Sequence, residues 1–285
     1  MGGGRYRDLR RSATVVFFLA SAALLLAGST AAGGPTRPVF RVLQLNLCNS
    51  GLAGCYTGRS VDAAAAVIRA DRPDVVALNE VCRDDVYGLN QTLQGGYGGS
   101  LAWAFKAAED RPTAADFRCR NGQSYGIGLL VRLPAPFGYT VDAGIYPTQD
   151  PRDPEERAWL CMHAAGAFLA CTTHLASTSA PVSLAQCHYL LDTAIPATRA
   201  AAGEPTVVAG DFNLGHGVFN VGRTGVADVA TCVPPGYLRE DDGAVQNVLA
   251  TTGFTVDSVE LIDMHATTDH PGLLVSLTST VDERG

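Results

Sequence analysis

Short apolar runs, many alternating or rich in β-branched residues, recur along the chain. Such runs predict strands at Val39–Leu47, Asp74–Leu78, Leu101–Ala107, Tyr125–Leu133, Ala158–Ala164, Ala167–Thr173, Thr206–Ala209, Thr255–Ile262 and Gly272–Thr278. Three stretches predict helices. Ser60 is placed to cap an Ala-rich helix over Val61–Ala70, which Arg72-Pro73 ends. Ser183–Ala202 carries apolar residues at helical spacing, with Pro196 expected to bend or break it. Gly243–Thr252 is the third. Many strands with helices interspersed, partly as hairpins, predict an α/β (α+β) fold of mixed sheets with helices outside.

Several of these strands end alike. RVLQLNL (41–47) places Asn46 near its end, and DVVALNE (74–80) finishes in Asn79 and Glu80. ACTTHL (170–175) ends in His174, and VVAGDFN (207–213) ends in Asp211 and Asn213. TTDHPG (267–272) sets Asp269 and His270 just before the last apolar run. Residues i and i+2 of a strand point to the same side, so Asp211 and Asn213 reach toward one place. One such end is ordinary turn chemistry. Five metal-capable or proton-transferring ends in one chain suggest a single cleft.

The N-terminus changes the picture of where the protein works. Arg5, Arg7, Arg10 and Arg11 precede an apolar core, Val15–Ala27, and then the small residues Ser29 to Gly34. That order predicts a signal peptide over 1–32, a catalytic domain over 33–285 and a secreted product; an uncleaved anchor is the alternative. Loss of residues 1–32 removes four arginines and one aspartate and moves the formal charge from −7 to −10. A chain this acidic is not a passive nucleic-acid coat, though it can act on phosphates through bound cations. The eight cysteines behind an export signal predict disulfides, and without a tight CxxC pair a zinc site is disfavoured. Cys48 and Cys55 flank a short loop, and Cys161 and Cys171 mirror each other about Gly166 in an expected hairpin, so these two pairs are predicted. Cys82, Cys119, Cys187 and Cys232 stay unassigned.

In order, LQLN, LNE, GIGLLVR, THL, GDFN and TDH resemble the motifs of the endonuclease/exonuclease/phosphatase superfamily, the deoxyribonuclease I-like family, over about residues 40–278. The resemblance implies a four-layer αββα sandwich of two mixed β-sheets with helices on both outer faces. It implies a metal-dependent phosphoester hydrolase with Mg²⁺ as cofactor, Mn²⁺ or Ca²⁺ being possible substitutes. By that resemblance Glu80 is the chief metal carboxylate, with Asn46 beside it and Asp269 at the metal edge. Asp211 orients the nucleophile or a second cation, and Asn213 holds a phosphate oxygen. His270 is the general base, oriented by Asp257, and His174 stabilises charge on the phosphoryl oxygens and the leaving group. Arg157 is a candidate phosphate contact, against a surface ion pair with Glu155 or Glu156. The remaining histidines are read as structural. Ile127 and Val131 depart from the Asn and Ser that many relatives carry in GIGLLVR. The substrate reading leans to nucleic acid, with a phospholipid head group or an inositol phosphate as alternatives. The loops Phe137–Tyr146 and Gly215–Tyr237 hold aromatic residues but no tight cluster for membrane docking. A monomer without a stable membrane span after processing is expected, and a non-catalytic binding module of the same fold is the rival from another class.

Overall fold

Strand parity divides the side chains between two kinds of core. The computed structural model describes Met1 and residues 38–96, 100–135, 138–199, 203–215 and 227–280. The expected signal peptide, His216 and Phe137 therefore lie outside the described residues, Met1 apart. The strands are β1 (Val39–Asn46), β2 (Val75–Cys82), β3 (Ser100–Ala107), β4 (Glu109–Asp110), β5 (Ala115–Asp116), β6 (Tyr125–Leu133), β7 (Tyr139–Ile145), β8 (Glu155–Glu156), β9 (Ala158–Ala164), β10 (Phe168–His174), β11 (Thr206–Asp211), β12 (Tyr237–Asp241), β13 (Gln246–Thr251), β14 (Phe254–Ile262) and β15 (Gly272–Ser279). One six-stranded sheet runs β14-β15-β1-β2-β6-β3 and the other β12-β13-β11-β10-β9-β7. Each is mixed, because β1–β2 and β10–β11 are parallel while their other neighbours are antiparallel.

Along β1, Val42 faces the opposite sheet and Leu43 and Leu45 face outward. The inner layer joins Val42, Val75, Leu129, Leu160, Met162, Val207 and Val275. Outside the first sheet, Leu43, Leu45, Val76 and Leu78 pack on α1 (Ser60–Asp71) and α2 (Arg83–Gly96), which contribute Ile68, Val86, Leu89 and Leu93. Outside the second, Leu169, Val208 and Leu249 pack on Cys187, Leu190 and Ile195 of the helical stretch beginning with α3 (Ala180–Tyr189). Each such apolar side chain contributes roughly 1.5–3 kcal/mol by leaving water. The result is the four-layer αββα sandwich. A small third sheet, β5-β4-β8, stands beside it. Among the described residues no helix is long and apolar enough to cross a membrane.

Several local expectations change. Ser60 does not cap α1; it is the first helical residue, turned into the core, and Arg59 holds the N-cap position without a side-chain hydrogen bond. Gly243–Thr252 is not a helix: Gln246–Thr251 is β13, a strand whose Gln246 and Asn247 are buried. The helix expected from Ser183 begins at Ala180, widens into a π-helix over Leu190–Ala194 and closes as α4 (Ile195–Thr198). Pro196 explains the widening. It has no N–H and its ring crowds the carbonyl four residues back, so the backbone shifts to an Ile195 N–H to Leu190 O bond. Strands β7 and β12 and helix α2 were not expected.

All eight cysteines pair, as Cys48–Cys55, Cys82–Cys119, Cys161–Cys171 and Cys187–Cys232. The first and third pairs are those expected, and Cys161 and Cys171 are directly opposed on β9 and β10. Cys82–Cys119 ties the end of β2 to the segment just after β5 of the small sheet.

Candidate active site

The inner faces grade from apolar to polar along the strands. β1 runs Val42, Gln44, Asn46; β2 runs Val75, Ala77, Asn79; β10 runs Ala170, Thr172, His174; β11 runs Val207, Ala209, Asp211. The antiparallel β13 matches in reverse, Ala250, Val248, Gln246, and pairs Gln246 with Asp211. A buried amide layer lies beneath the ionisable groups. Asn79 Oδ1 accepts from Gln44 Nε2 and from the Asp211 N–H, each at 2.7 Å, and Asn79 Nδ2 donates to Thr172 Oγ1 at 3.4 Å. Gln44 Nε2 also meets Gln246 Oε1 at 3.5 Å. Buried polar groups are stable only when paired in this way.

Glu80 departs from regular strand. The β2–β6 register shifts between Leu78 and Val81, and Glu80 has φ 53°. A left-handed residue with a Cβ costs about 1–3 kcal/mol. The bulge turns its carboxylate into the cavity above the amide layer. Asn213 is also left-handed, at φ 50°, which asparagine tolerates better. Its N–H donates to Asp211 Oδ1 and its Nδ2 to Leu175 O, both at 2.9 Å.

Asn46, Glu80, His174, Asp211, Asn213 and His270 converge at one end of the sandwich. Asn46 Nδ2 donates to Glu80 Oε1 at 3.0 Å and to Asp211 Oδ2 at 3.1 Å. The Cys48 N–H donates to Asn46 Oδ1, which fixes the amide and turns its NH₂ toward both carboxylates. Asn46 therefore bridges the carboxylates, and its oxygen is turned away from them, contrary to the expected ligand role. His270 Nε2 lies 3.7 Å from Asp211 Oδ2 and 3.9 Å from Asp269 Oδ1. His174 Nε2 lies 4.0 Å from Glu80 Oε1. Glu80, His174, Asp211, Asn213 and His270 line a cavity of about 450 Å³, together with Tyr125, Glu155 and Arg157.

Burial, with the neighbouring Asp211, raises the Glu80 carboxyl above its ordinary range, against the Asn46 hydrogen bond. Burial likewise raises Asp211, opposed by His270 and by its hydrogen bonds. Burial, then Arg157 and His270, hold His174 well below the usual histidine value. Glu155 is pushed up to about 7 by burial, partly offset by Arg157.

Glu80 and Asp211 suit a hard divalent cation. They are oxygen donors held side by side by one neutral amide, and the Asp211 charge raises the proton affinity of Glu80; a cation would relieve that repulsion. Asp269 stands at the edge of the site, and its charge acts on Glu80. Its side chain is 55% exposed at the rim, beside His270 and within 4.8 Å of the Cys48–Cys55 sulfurs.

Two assignments fail on position. Asp257 does not orient His270. It sits in β14 where that strand pairs with Thr278 and Ser276, far along β15 from Gly272, and accepts from Thr278 Oγ1 at 2.6 Å. The residue that reaches His270's neighbourhood is Gln246, whose Nε2 donates to Pro271 O at 2.7 Å. Arg157 is neither a surface ion pair nor an open phosphate contact. It is 5% exposed and bound to Asp153 Oδ2 at 2.9 Å and Glu155 Oε1 at 3.2 Å. Of the other histidines, His163, His188 and His265 pair with Glu204, Asp192 and Asp263 outside the cavity. Gln44 and Gln246 had no role in the sequence reading, where Asn79 figured only as a strand end and Glu155 only as an alternative partner of Arg157. Period-two counting back from Asn46 reaches Gln44, and Asn79 adjoins Glu80, so those two carried a signal.

Two packed sheets that bring carboxylates and histidines together at one end define the class, an α/β sandwich with a phosphoesterase-type site. The chain belongs to the endonuclease/exonuclease/phosphatase family, whose profile matches residues 43–270 and whose members are generally phosphoester hydrolases. No curated protein matches it in sequence. Among solved structures, an endonuclease/exonuclease/phosphatase from Beutenbergia cavernae is similar at 23% identity and TM-score 0.63, covering 86% of this chain and 72% of that one. The human nocturnin catalytic domain, with bound sulfate, aligns at 18% identity and TM-score 0.61, over 85% and 94% of the two chains. A mannosyl-6-phosphatase from Bacteroides thetaiotaomicron aligns at 13% identity and TM-score 0.55, over 84% and 99%. At these identities the likeness is one of fold.

Proposed function

We propose that the protein is an exported, divalent-metal-dependent phosphoester hydrolase that cuts nucleic-acid phosphodiesters by in-line attack of water. The convergence of Glu80, Asp211, Asn213, His174 and His270 on one cavity carries this reading. Glu80 and Asp211 would hold the cation, with Asn46 keeping their spacing. Such a cation, Mg²⁺ before Mn²⁺ or Ca²⁺, supplies Lewis-acid polarisation of the phosphoryl oxygen and steadies the leaving oxygen. His270 Nε2 and Asp211 Oδ2 face each other at 3.7 Å. A water held between them loses its proton to His270, and the imidazolium that forms lies beside the Asp211 carboxylate. Asn213 keeps one amide hydrogen for a phosphate oxygen, and His174 supplies a second donor from the opposite wall.

One observation favours a second reading, a small phosphoester such as an inositol phosphate or a lipid head group. The cavity is flanked by Tyr125 and by Glu155 of the small sheet, and its one arginine is already paired with carboxylates.

Nicking of supercoiled plasmid by the mature protein, with Mg²⁺, with chelator and with His270→Ala, separates the readings. Chelator-sensitive nicking that drops about 10²–10⁴-fold in the variant is expected. Hydrolysis of inositol phosphates or sphingomyelin without nicking would move the substrate to the second reading. Inertness toward all of these would overturn the hydrolase proposal. N-terminal sequencing of exported protein tests the leader, and Met1 intact in the membrane fraction would refute its cleavage.

A further inference from the structure

We infer that Arg157 is a positioning residue that locks His174 in one neutral tautomer, with the proton on Nε2 facing the cavity. His174 then serves the phosphoryl group as a hydrogen-bond donor that keeps its proton. The ligand in this inference rests on the phosphoester reading; the tautomer does not.

The geometry is closed on both sides. Arg157 Nη1 lies 2.9 Å from His174 Nδ1, with both side chains buried. A guanidinium has only donors and stays charged, so Nδ1 must offer its lone pair. A neutral imidazole with a bare Nδ1 carries its proton on Nε2. That nitrogen faces Glu80 Oε1, 4.0 Å away across the cavity.

The guanidinium cannot turn aside. Nη1 also meets Glu155 Oε1 at 3.2 Å, and Nη2 meets Asp153 Oδ2 at 2.9 Å and Ser177 Oγ at 3.4 Å. Three of the four terminal hydrogens bond to His174 Nδ1, Asp153 Oδ2 and Ser177 Oγ and the fourth lies against the Glu155 carboxylate, while the Nε–H is buried without a partner among the described residues. The Arg157 backbone is fixed too: its N–H donates to Gln149 Oε1 at 2.8 Å, and its carbonyl accepts from Gln149 Nε2 at 2.9 Å and the Tyr146 N–H at 3.1 Å. His174 is the last residue of β10, held between Trp159-bearing β9 and Asp211 of β11. The charged or titratable groups that face it are Arg157 from the β9 side, Glu80 from β2 and His270 from the turn before β15. A second proton on Nδ1 would set a cation against the buried guanidinium. A proton given up from Nε2 would leave an imidazolate. With Nδ1 turned to the guanidinium, the Nε2–H is the hydrogen this ring presents to the cavity.

The test is a two-bond ¹H–¹⁵N spectrum of the histidine rings in the ¹⁵N-labelled mature protein with Mg²⁺ at neutral pH. His174 resonances are assigned by their loss in His174→Gln. An unprotonated Nδ1 and a protonated Nε2 are expected. A proton on Nδ1, averaged nitrogens or an imidazolium would overturn the inference. This spectrum needs no substrate, so its failure is distinct from failure of the hydrolase reading. In Arg157→Met the two tautomers should mix, and kcat should fall about 10–100-fold, the usual effect of losing an orienting partner, with KM unchanged. Arg157→Lys, which keeps a donor, should recover the Nε2–H pattern. A raised KM with the tautomer intact would assign Arg157 to phosphate binding instead. If Arg157→Met does not fold, the wild-type spectrum decides alone.

Discussion

Asn79 gives the sharpest test of the amide layer. Its side chain is fully buried, and its Oδ1 serves two donors, the Asp211 N–H and Gln44 Nε2, both at 2.7 Å. Asn79→Ala strands both. A buried donor left without a partner costs about 1–3 kcal/mol. Gln44 retains only its 3.5 Å contact with Gln246 Oε1, which softens the second loss. The expected destabilisation is about 2–4 kcal/mol. Thr172→Val is the control. It keeps the shape and breaks only the long 3.4 Å contact from Asn79 Nδ2, stranding one donor rather than two, so it should cost about 1 kcal/mol and less than Asn79→Ala. Urea unfolding with disulfides intact, followed by the fluorescence of Trp103 and Trp159, reads both. At a slope of about 3 kcal/mol per molar urea, Asn79→Ala moves the midpoint by about 1 M with the slope unchanged. If Asn79→Ala shifts the midpoint no more than Thr172→Val, the layer is not a network and the argument for it fails.

Other outcomes follow from the same coordinates. Asp257→Asn should leave hydrolysis unchanged, because the carboxylate meets Thr278 and not His270; a loss of tenfold or more by kinetic assay, about 1.4 kcal/mol of transition-state stabilisation, would restore it to the site. Removing Cys82–Cys119 should destabilise the fold by about 4 kcal/mol, from a sequence separation of 37 residues, and a thermal or urea scan showing less than about 1 kcal/mol would contradict this. Hydrogen bonds from Arg152 and Thr178 hold the Asp150 carboxyl well below its usual range. A lowered folded-state value gives stability that is complete above the unfolded carboxylate pKa, about 4, and is lost as pH falls toward the folded value. Asp150→Asn should therefore flatten the acid limb of melting temperature against pH below about 4; a variant whose limb parallels the wild type would refute the role.

The strand ends were readable because apolar runs stop at Asn46, Glu80, His174 and Asp211; period two puts Asn46, His174 and Asp211 on one face, and Glu80 joins them only through the β2 bulge. What escaped the sequence has physical reasons. β13 reads as a helix because Gln246 and Asn247 interrupt its apolar run, yet both are buried, and Gln246 joins the amide layer beneath the site. β7 alternates in sequence, Tyr139, Val141, Ala143 and Ile145, but lies at a sheet edge with Tyr139 and Val141 exposed, so its apolar positions do not form a buried face. α2 presents only Val86, Leu89 and Leu93 among polar residues. Asp257 was chosen because a carboxylate was sought upstream of His270, whereas the nearest element places an amide, Gln246, there. Cys82–Cys119 and Cys187–Cys232 join positions whose nearness only the tertiary fold creates.

The left-handed backbone at Glu80 sets survival and chemistry against each other. Glycine at that position would relax the turn and spare a buried carboxylate its lost hydration. A library of variants sorted for heat tolerance alone would thus drift toward glycine at residue 80, collecting sturdier molecules that lack the carboxylate proposed to hold the cation. Under the proposed function, glutamate there is kept for turnover at the expense of sturdiness.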